Sequence, residues 1–209
     1  MPKTMEDSDG LPLFAFQDLD YIPSGFGGIL APYIETTAGT MRAAATLMRL
    51  GFQTEEDDKK GGNETLIAHQ EVVCDLGCGD GYFLISLLAH ISLLTPLALP
   101  IGLGIDYDPS LIASAGIASS LQKVNASWLI YNFNDDREDL VSQLIDKHQV
   151  THMFVYLVPK QLALGTVRRI LTSLCGSGVV VCCHKFYPEY LTPARRDALM
   201  ELAVYDESS

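Results

Sequence analysis

The chain has 209 residues, enough for one α/β domain with a sizeable core. Hydrophobic residues make up 48% and charged residues 19%, which excludes an intrinsically disordered chain. The formal net charge of −12 repels phosphate backbones, so nucleic acid is not expected as a partner. The same charge attracts a basic protein or peptide, although it also serves plain solubility.

Residues 1–20 read as a flexible lead-in with two anchoring aromatics, Phe14 and Phe16. Their start is acidic and polar, neither a secretory signal nor an Arg-rich transit peptide, so a cytoplasmic location is expected, with a nuclear one open. A single domain is expected over 21–209. It opens with a helical cap over 21–52, entered at Tyr21-Ile22-Pro23-Ser24-Gly25, with a helix over 28–48. A charged loop over 53–63 reads as a solvated insertion.

From Glu71 the pattern alternates. Strands are expected at 71–76, 100–106, 127–132, 151–158 and 178–185. Helices are expected at 82–95, 109–121, 137–148 and 160–174, with Asp108-Pro109 starting the second of them. Apolar strands separated by helices mean a doubly wound, mostly parallel sheet with helices on both faces. A helix-like 193–202 follows, and 202–205 is a candidate sixth strand.

The apolar stretch from Tyr82 to Ile105 is split by Pro96 and Pro100 and holds His90. A buried helix and a buried strand explain it better than a membrane span, and none is expected. The five cysteines are Cys74, Cys78, Cys175, Cys182 and Cys183. Their odd number and apolar settings fit buried free thiols, and their spacing lacks a second ligand pair for zinc. The sequons at Asn63 and Asn125 are chance matches without a secretory signal.

The densest signal is Val72-Val73-Cys74-Asp75-Leu76-Gly77-Cys78-Gly79-Asp80-Gly81-Tyr82. An apolar strand ends in an acid and a glycine-rich turn, and a helix follows. Glycine permits φ > 0 and close approach of a ligand. The spacing is not the G-x-G-x-x-G of dinucleotide sites, and Asp75 would repel a pyrophosphate. A ligand bearing a positive amine suits it better.

This segment resembles the first motif of class I S-adenosylmethionine-dependent methyltransferases. The resemblance implies that Asp75, Gly77, Cys78, Gly79 and Gly81 lie beside the methionine part of S-adenosylmethionine. Strand 2 ends in Gly104-Ile105-Asp106-Tyr107. The family places an acid there on the ribose hydroxyls, which Asp106 would match, because a carboxylate accepts two hydrogen bonds at once. Tyr107 would lie against the adenine, and Asp108 reads as a helix cap. After strand 3, Asn132 and Phe133 best match the adenine contacts of the family. Asn134 and Asp135 are alternatives, and so is a plain Asx-rich turn.

Strand 4 exits as Phe154-Val155-Tyr156-Leu157-Val158-Pro159, where the family faces the transferred methyl. It lacks the Asn/Asp-Pro-Pro-Tyr of many amino-group enzymes. With Tyr21-Ile22-Pro23-Ser24 upstream and Val180-Val181-Cys182-Cys183-His184-Lys185-Phe186 downstream, the set is similar to the small protein-lysine methyltransferases of the ATP synthase c-subunit and the ADP/ATP translocase. That resemblance spans roughly residues 20–190. It implies a protein substrate with a lysine-bearing segment, and Tyr21, Tyr156 and His184 as candidates to line or deprotonate the lysine site. Each also has a plain structural reading, as packing or core. The family closes its sheet with an antiparallel strand 7 beside strand 5, and no segment is legible for it here. Other readings are a small-molecule methyltransferase, or a silent copy of the fold serving as a partner subunit.

Overall fold

The computed structural model describes residues 36–51, 70–95 and 99–209. The expected lead-in, the entry at Tyr21, the first part of the cap helix and the charged loop lie outside these residues.

Seven strands form one sheet: β1 (Val72–Leu76), β2 (Ile101–Asp106), β3 (Ala126–Ile130), β4 (His152–Val155), β5 (Val180–His184), β6 (Arg195–Asp197) and β7 (Leu202–Tyr205). Their spatial order is β3-β2-β1-β4-β5-β7-β6. The first five are parallel. Strand β7 runs antiparallel to both β5 and β6. The helices are α1 (Ala38–Met48), α2 (Tyr82–Leu94), α3 (Pro109–Gln122), α4 (Leu140–Ser142, continuing as a π-turn over Gln143–Lys147), α5 (Pro159–Leu162) and α6 (Gly165–Gly176).

The expected doubly wound sheet is present, and one expectation about its edge is corrected. The closing strand exists. It is β7, pairing His184 with Leu202 and Val181 with Tyr205. The segment 202–205 is therefore not the sixth strand, and 195–197 is a strand rather than part of a helix. The reason is physical. The β6 strand is a three-residue edge of two arginines and an aspartate, and short charged edges carry no apolar alternation. By contrast β7 is buried along its whole length and reads as an apolar run.

Side chains alternate across the sheet and divide the core in two. One face sets Cys74, Leu76, Leu103, Ile105, Met153, Val155, Val181 and Cys183 against α4, α5 and α6. The other sets Val73, Phe154, Cys182 and Val204 against α1 and α2. Burial on both sides explains the near-continuous apolar strands. All five cysteines are buried and free, as their settings implied.

On the α1–α2 face, β2 carries Gly102 and Gly104 where larger residues would collide. Gly104 pairs with Trp128 of β3, the chain's one tryptophan. A Cβ on Gly104 would sit 2.2 Å from Trp128 Cζ3 and 2.9 Å from Cys78 Sγ. A Cβ on Gly81 would sit 2.3 Å from Trp128 Cη2. The indole thus fills the space under the glycine loop, and its Nε1–H donates to Ser119 Oγ at 3.0 Å.

Two turns differ from expectation. The helix expected from 137 begins at Leu140, because Asp136 and Asp139 hold positive φ and Asp136 Oδ1 accepts from Leu140 N at 2.8 Å. The helix expected over 160–174 is broken at Leu164, whose φ of −64° and ψ of 137° lie outside the helical region. Helix α3 begins as expected, with Pro109 in its first turn and Asp108 accepting from Ser110 N at 2.8 Å.

Gly104→Ala is expected to destabilise the fold by ~1–3 kcal/mol through overpacking against Trp128. Gly165→Ala, where an added Cβ meets nothing within 4 Å, is expected to be neutral or slightly stabilising. Urea midpoints of the two variants check the contrast.

Candidate functional site

Parallel strands β1, β2, β4 and β5 all end on one edge, and β1 sits between β2 and β4, where the chain changes its direction of winding. Open α/β sheets bind ligands at such a point.

Asp75 is the fourth residue of β1 and only 4% exposed. No described residue donates a hydrogen bond to its carboxyl. Burial, and next the charge of Asp106, raise its pKa from 3.8 to about 8. Such a group favours a cation arriving beside it.

Glycines 77, 79 and 81 all have positive φ, as expected of a tight loop. Its N–H groups are turned inward. Gly77 N and Cys78 N both donate to Ile105 O, at 2.9 and 3.0 Å. Gly81 N donates to Cys78 O at 2.9 Å, and Gly79 N to Asp106 Oδ2 at 3.0 Å. The Cys78 thiol is buried over Gly79 O at 3.7 Å. With these donors engaged, the loop is no cradle for phosphate, in keeping with the acid in its motif.

Asp106, 8% exposed, closes β2. Its Oδ1 accepts from Asp108 N at 3.0 Å. Burial raises its pKa, and the N–H groups of Asp108, Gly79 and Tyr107 oppose the rise. Each oxygen keeps a lone pair for another donor, so the carboxylate can hold the loop and accept from a diol together. Tyr107 is half-buried at the rim. Asn132 forms an Asx turn, its Oδ1 accepting from Asn134 N at 3.2 Å. Phe133 is 2% exposed and belongs to the core under that turn.

An aromatic row runs along the ends of β4 and β5. Phe83 stacks on Phe154 with centroids 3.8 Å apart. The rings of Tyr156 and His184 are 4.6 Å apart, and Phe186 lies 6.2 Å from Tyr156. Tyr156 Oη and His184 Nδ1 are both buried without a hydrogen-bond partner among the described residues. Burial raises the Tyr156 pKa to about 12 and lowers that of His184. The tyrosine is therefore a neutral donor and the imidazole a neutral group at ordinary pH.

The structure thus brings Asp75, Asp106 and the glycine loop together on one edge, with Tyr156 and His184 further along it. Tyr21 lies outside the described residues. Sequence reasoning missed Trp128, whose signal was a lone tryptophan one strand away from Gly104. It also missed Glu201, in the turn before β7, whose charge acts on both Tyr156 and His184.

No protein-family model matches this chain, nor does any curated protein. Among solved structures, an RNA methyltransferase from Salinibacter ruber in complex with S-adenosyl-L-homocysteine is similar, with a TM-score of 0.53 and 20% identity. That match covers 82% of this chain and 91% of the other. An rRNA methylase from Streptococcus thermophilus matches with a TM-score of 0.44 and 10% identity, over 82% of this chain and 81% of its own. The fold is that of the Rossmann-like methyltransferases. The strand order with β7 reversed between β5 and β6 is the closure whose absence the sequence had suggested. Among the described residues no helix is long and apolar enough to cross a membrane.

Asp75 holds a proton in the folded protein that the unfolded chain releases above its ordinary pKa of 3.8. Its contribution to stability therefore falls as pH rises from about 4 to about 8, and levels off above. Asp75→Asn removes this dependence. The variant is expected to melt ~5 °C or more above wild type at pH 8, with the gain shrinking toward pH 4. Thermal melts of the ligand-free proteins across that range check it.

Proposed function

We propose that this chain is an S-adenosylmethionine-dependent methyltransferase acting on a lysine of a protein. The observation that carries the cofactor is the pair of buried carboxylates flanking the glycine loop at the switch point of a methyltransferase-type sheet. The fit is chemical. Asp75 has no hydrogen-bond partner among the described residues and suits the α-ammonium of the cofactor. Asp106 has spare lone pairs for the ribose hydroxyls. Tyr107 and Asn132 lie where the adenine would rest, with Phe133 supporting their turn from below. Gly77, Cys78, Gly79 and Gly81 supply the close-packed wall beside the methionine part.

S-adenosylmethionine supplies an electrophilic methyl on a sulfonium, whose displacement leaves a neutral thioether. The chain's own task is alignment and proton removal. Tyr156 and His184 sit beyond the end of β4, on the sheet face that also carries Phe154. A lysine ammonium must lose a proton before it attacks, and a dry wall of aromatic rings disfavours its charge. His184, held neutral by burial, can accept that proton. Tyr156 Oη can orient the amine, and Tyr21 is a further candidate for the channel. The net charge of −12 supports a basic protein substrate over RNA, and a cytoplasmic or nuclear location fits such a target.

Calorimetry with S-adenosylhomocysteine tests the cofactor site. Micromolar binding is expected, weakened roughly 10- to 100-fold in Asp106→Asn. No binding by folded wild type overturns the reading. With labelled cofactor and fractionated lysate, the label is expected in protein lysine, and label in RNA alone overturns the lysine assignment. His184→Ala is expected to lower kcat by ~100-fold or more and to remove an acidic limb from its pH profile, with S-adenosylhomocysteine bound as before.

A further inference from the structure

Beside the strand-4 exit the chain forms a cavity of about 710 Å³. Its walls come from the start of α5 (Pro159, Lys160), the first turn of α6 (Arg168) and the loop after β5 (Tyr187, Glu189, Tyr190). It lies past the end of β4 on the face covered by α5 and α6, whereas Tyr156 packs on the opposite, α1–α2 face. Tyr187 follows Phe186, whose ring lies 6.2 Å from Tyr156.

Its charge is opposite to that of the molecule. The chain carries −12, yet this cavity is lined by two cations and one carboxylate. Arg168 lies 5.1 Å over the Tyr190 ring and makes no ion pair with any described residue. Arg196, on β6, lies 5.5 Å over the Tyr187 ring. A guanidinium resting on an aromatic face is held in place while its N–H edge can still donate to a planar anion. Tyr190, which carries the Arg168 contact, has its hydroxyl buried without a hydrogen-bond partner among the described residues.

We infer that this cavity receives an acidic side chain of the substrate, an aspartate or glutamate close in sequence to the methylated lysine. The inference rests on the protein-lysine reading for the identity of the peptide. A single carboxylate on an otherwise basic or neutral peptide gains from Arg168 and Lys160 without opposing the field of the whole molecule. A nucleic acid would bring many phosphates against the net charge for the sake of one such pocket. The cavity would set register, selecting which lysine of a basic segment reaches Tyr156 and His184.

The test is fluorescence anisotropy of labelled decapeptides containing one lysine, with glutamate placed in turn at each of the four positions on either side, against glutamine controls. One register is expected to bind at least about 5-fold tighter than its glutamine control. That preference is expected to vanish in Arg168→Gln and to weaken in Lys160→Gln. Both residues are exposed, so melting temperatures are expected to stay at the wild-type value. No glutamate preference at any register overturns the inference, as does a preference that survives Arg168→Gln. Stronger binding of a single-stranded RNA decamer, lost in Arg168→Gln, replaces it with a phosphate site. Calorimetry of S-adenosylhomocysteine on the wild type separates the two readings: no glutamate preference in the wild type with intact cofactor binding refutes the pocket alone, and a glutamate preference without cofactor binding refutes the enzyme alone.

Discussion

The Asp106 carboxylate holds the site together. It closes β2, accepts from Gly79 N across to the loop after β1, and accepts from Asp108 N at the entrance to α3. One buried anion therefore sets the position of a loop and the start of a helix. Removing this acceptor would leave the buried Gly79 N–H unmet and the part-buried Asp108 N–H to water, a cost of about 1–3 kcal/mol for the buried donor. Asp75, one strand away, gains no such donors. Its charge is opposed both by burial and by Asp106. The two acids thus differ in kind: one is spent largely on structure and keeps some accepting capacity, whereas the other has no described partner at all. A cationic ligand group answers the second, and hydroxyl donors answer the spare capacity of the first.

Trp128 adds the complementary steric constraint. The loop can lie flat on the sheet only because Gly81 and Gly104 leave room for the indole. That contact joins the third strand, the second strand and the first loop, so the ribose side and the methionine side of the proposed site are set by one packed unit. It also shows why glycines in a motif need not all touch a ligand. Gly81 serves packing and the entry to α2, and Gly77 and Gly79 serve the turn.

Much of this was legible in the sequence. Strands β1, β2, β4 and β5 are largely buried, so their apolar runs survive without context, whereas β3 is a half-exposed edge, and the acid-glycine motif sits where a strand hands over to a helix. Asp108-Pro109 marked the start of α3 because a cap and a first-turn proline are local features. What escaped was non-local or charged. The pairing of Gly104 with Trp128 joins residues from different strands, and no period in the chain connects them. Arg195 to Asp197 form a strand only because β7 offers an open edge. The Asn132–Phe133 stretch reads as binding or turn with equal ease, and the structure shows the Asx turn and the buried ring.

The placement of unmet polar atoms gives the chemistry its direction. Folding generally satisfies buried donors and acceptors, and those left over are few. Here Tyr156 Oη and His184 Nδ1 stand side by side at the strand-4 and strand-5 ends. No hydrogen bond joins them, and the Phe154 ring lies 6.3 Å from His184 and the Phe186 ring 6.2 Å from Tyr156. Such an arrangement is unfavourable in isolation and becomes favourable when a third polar group enters between them. An amine fits that demand, since it can donate to the imidazole and accept from the phenol. It can do both only as the neutral base, because an ammonium has no lone pair with which to accept. The geometry would therefore select the protonation state that methyl transfer to lysine requires, in addition to whatever proton the histidine removes.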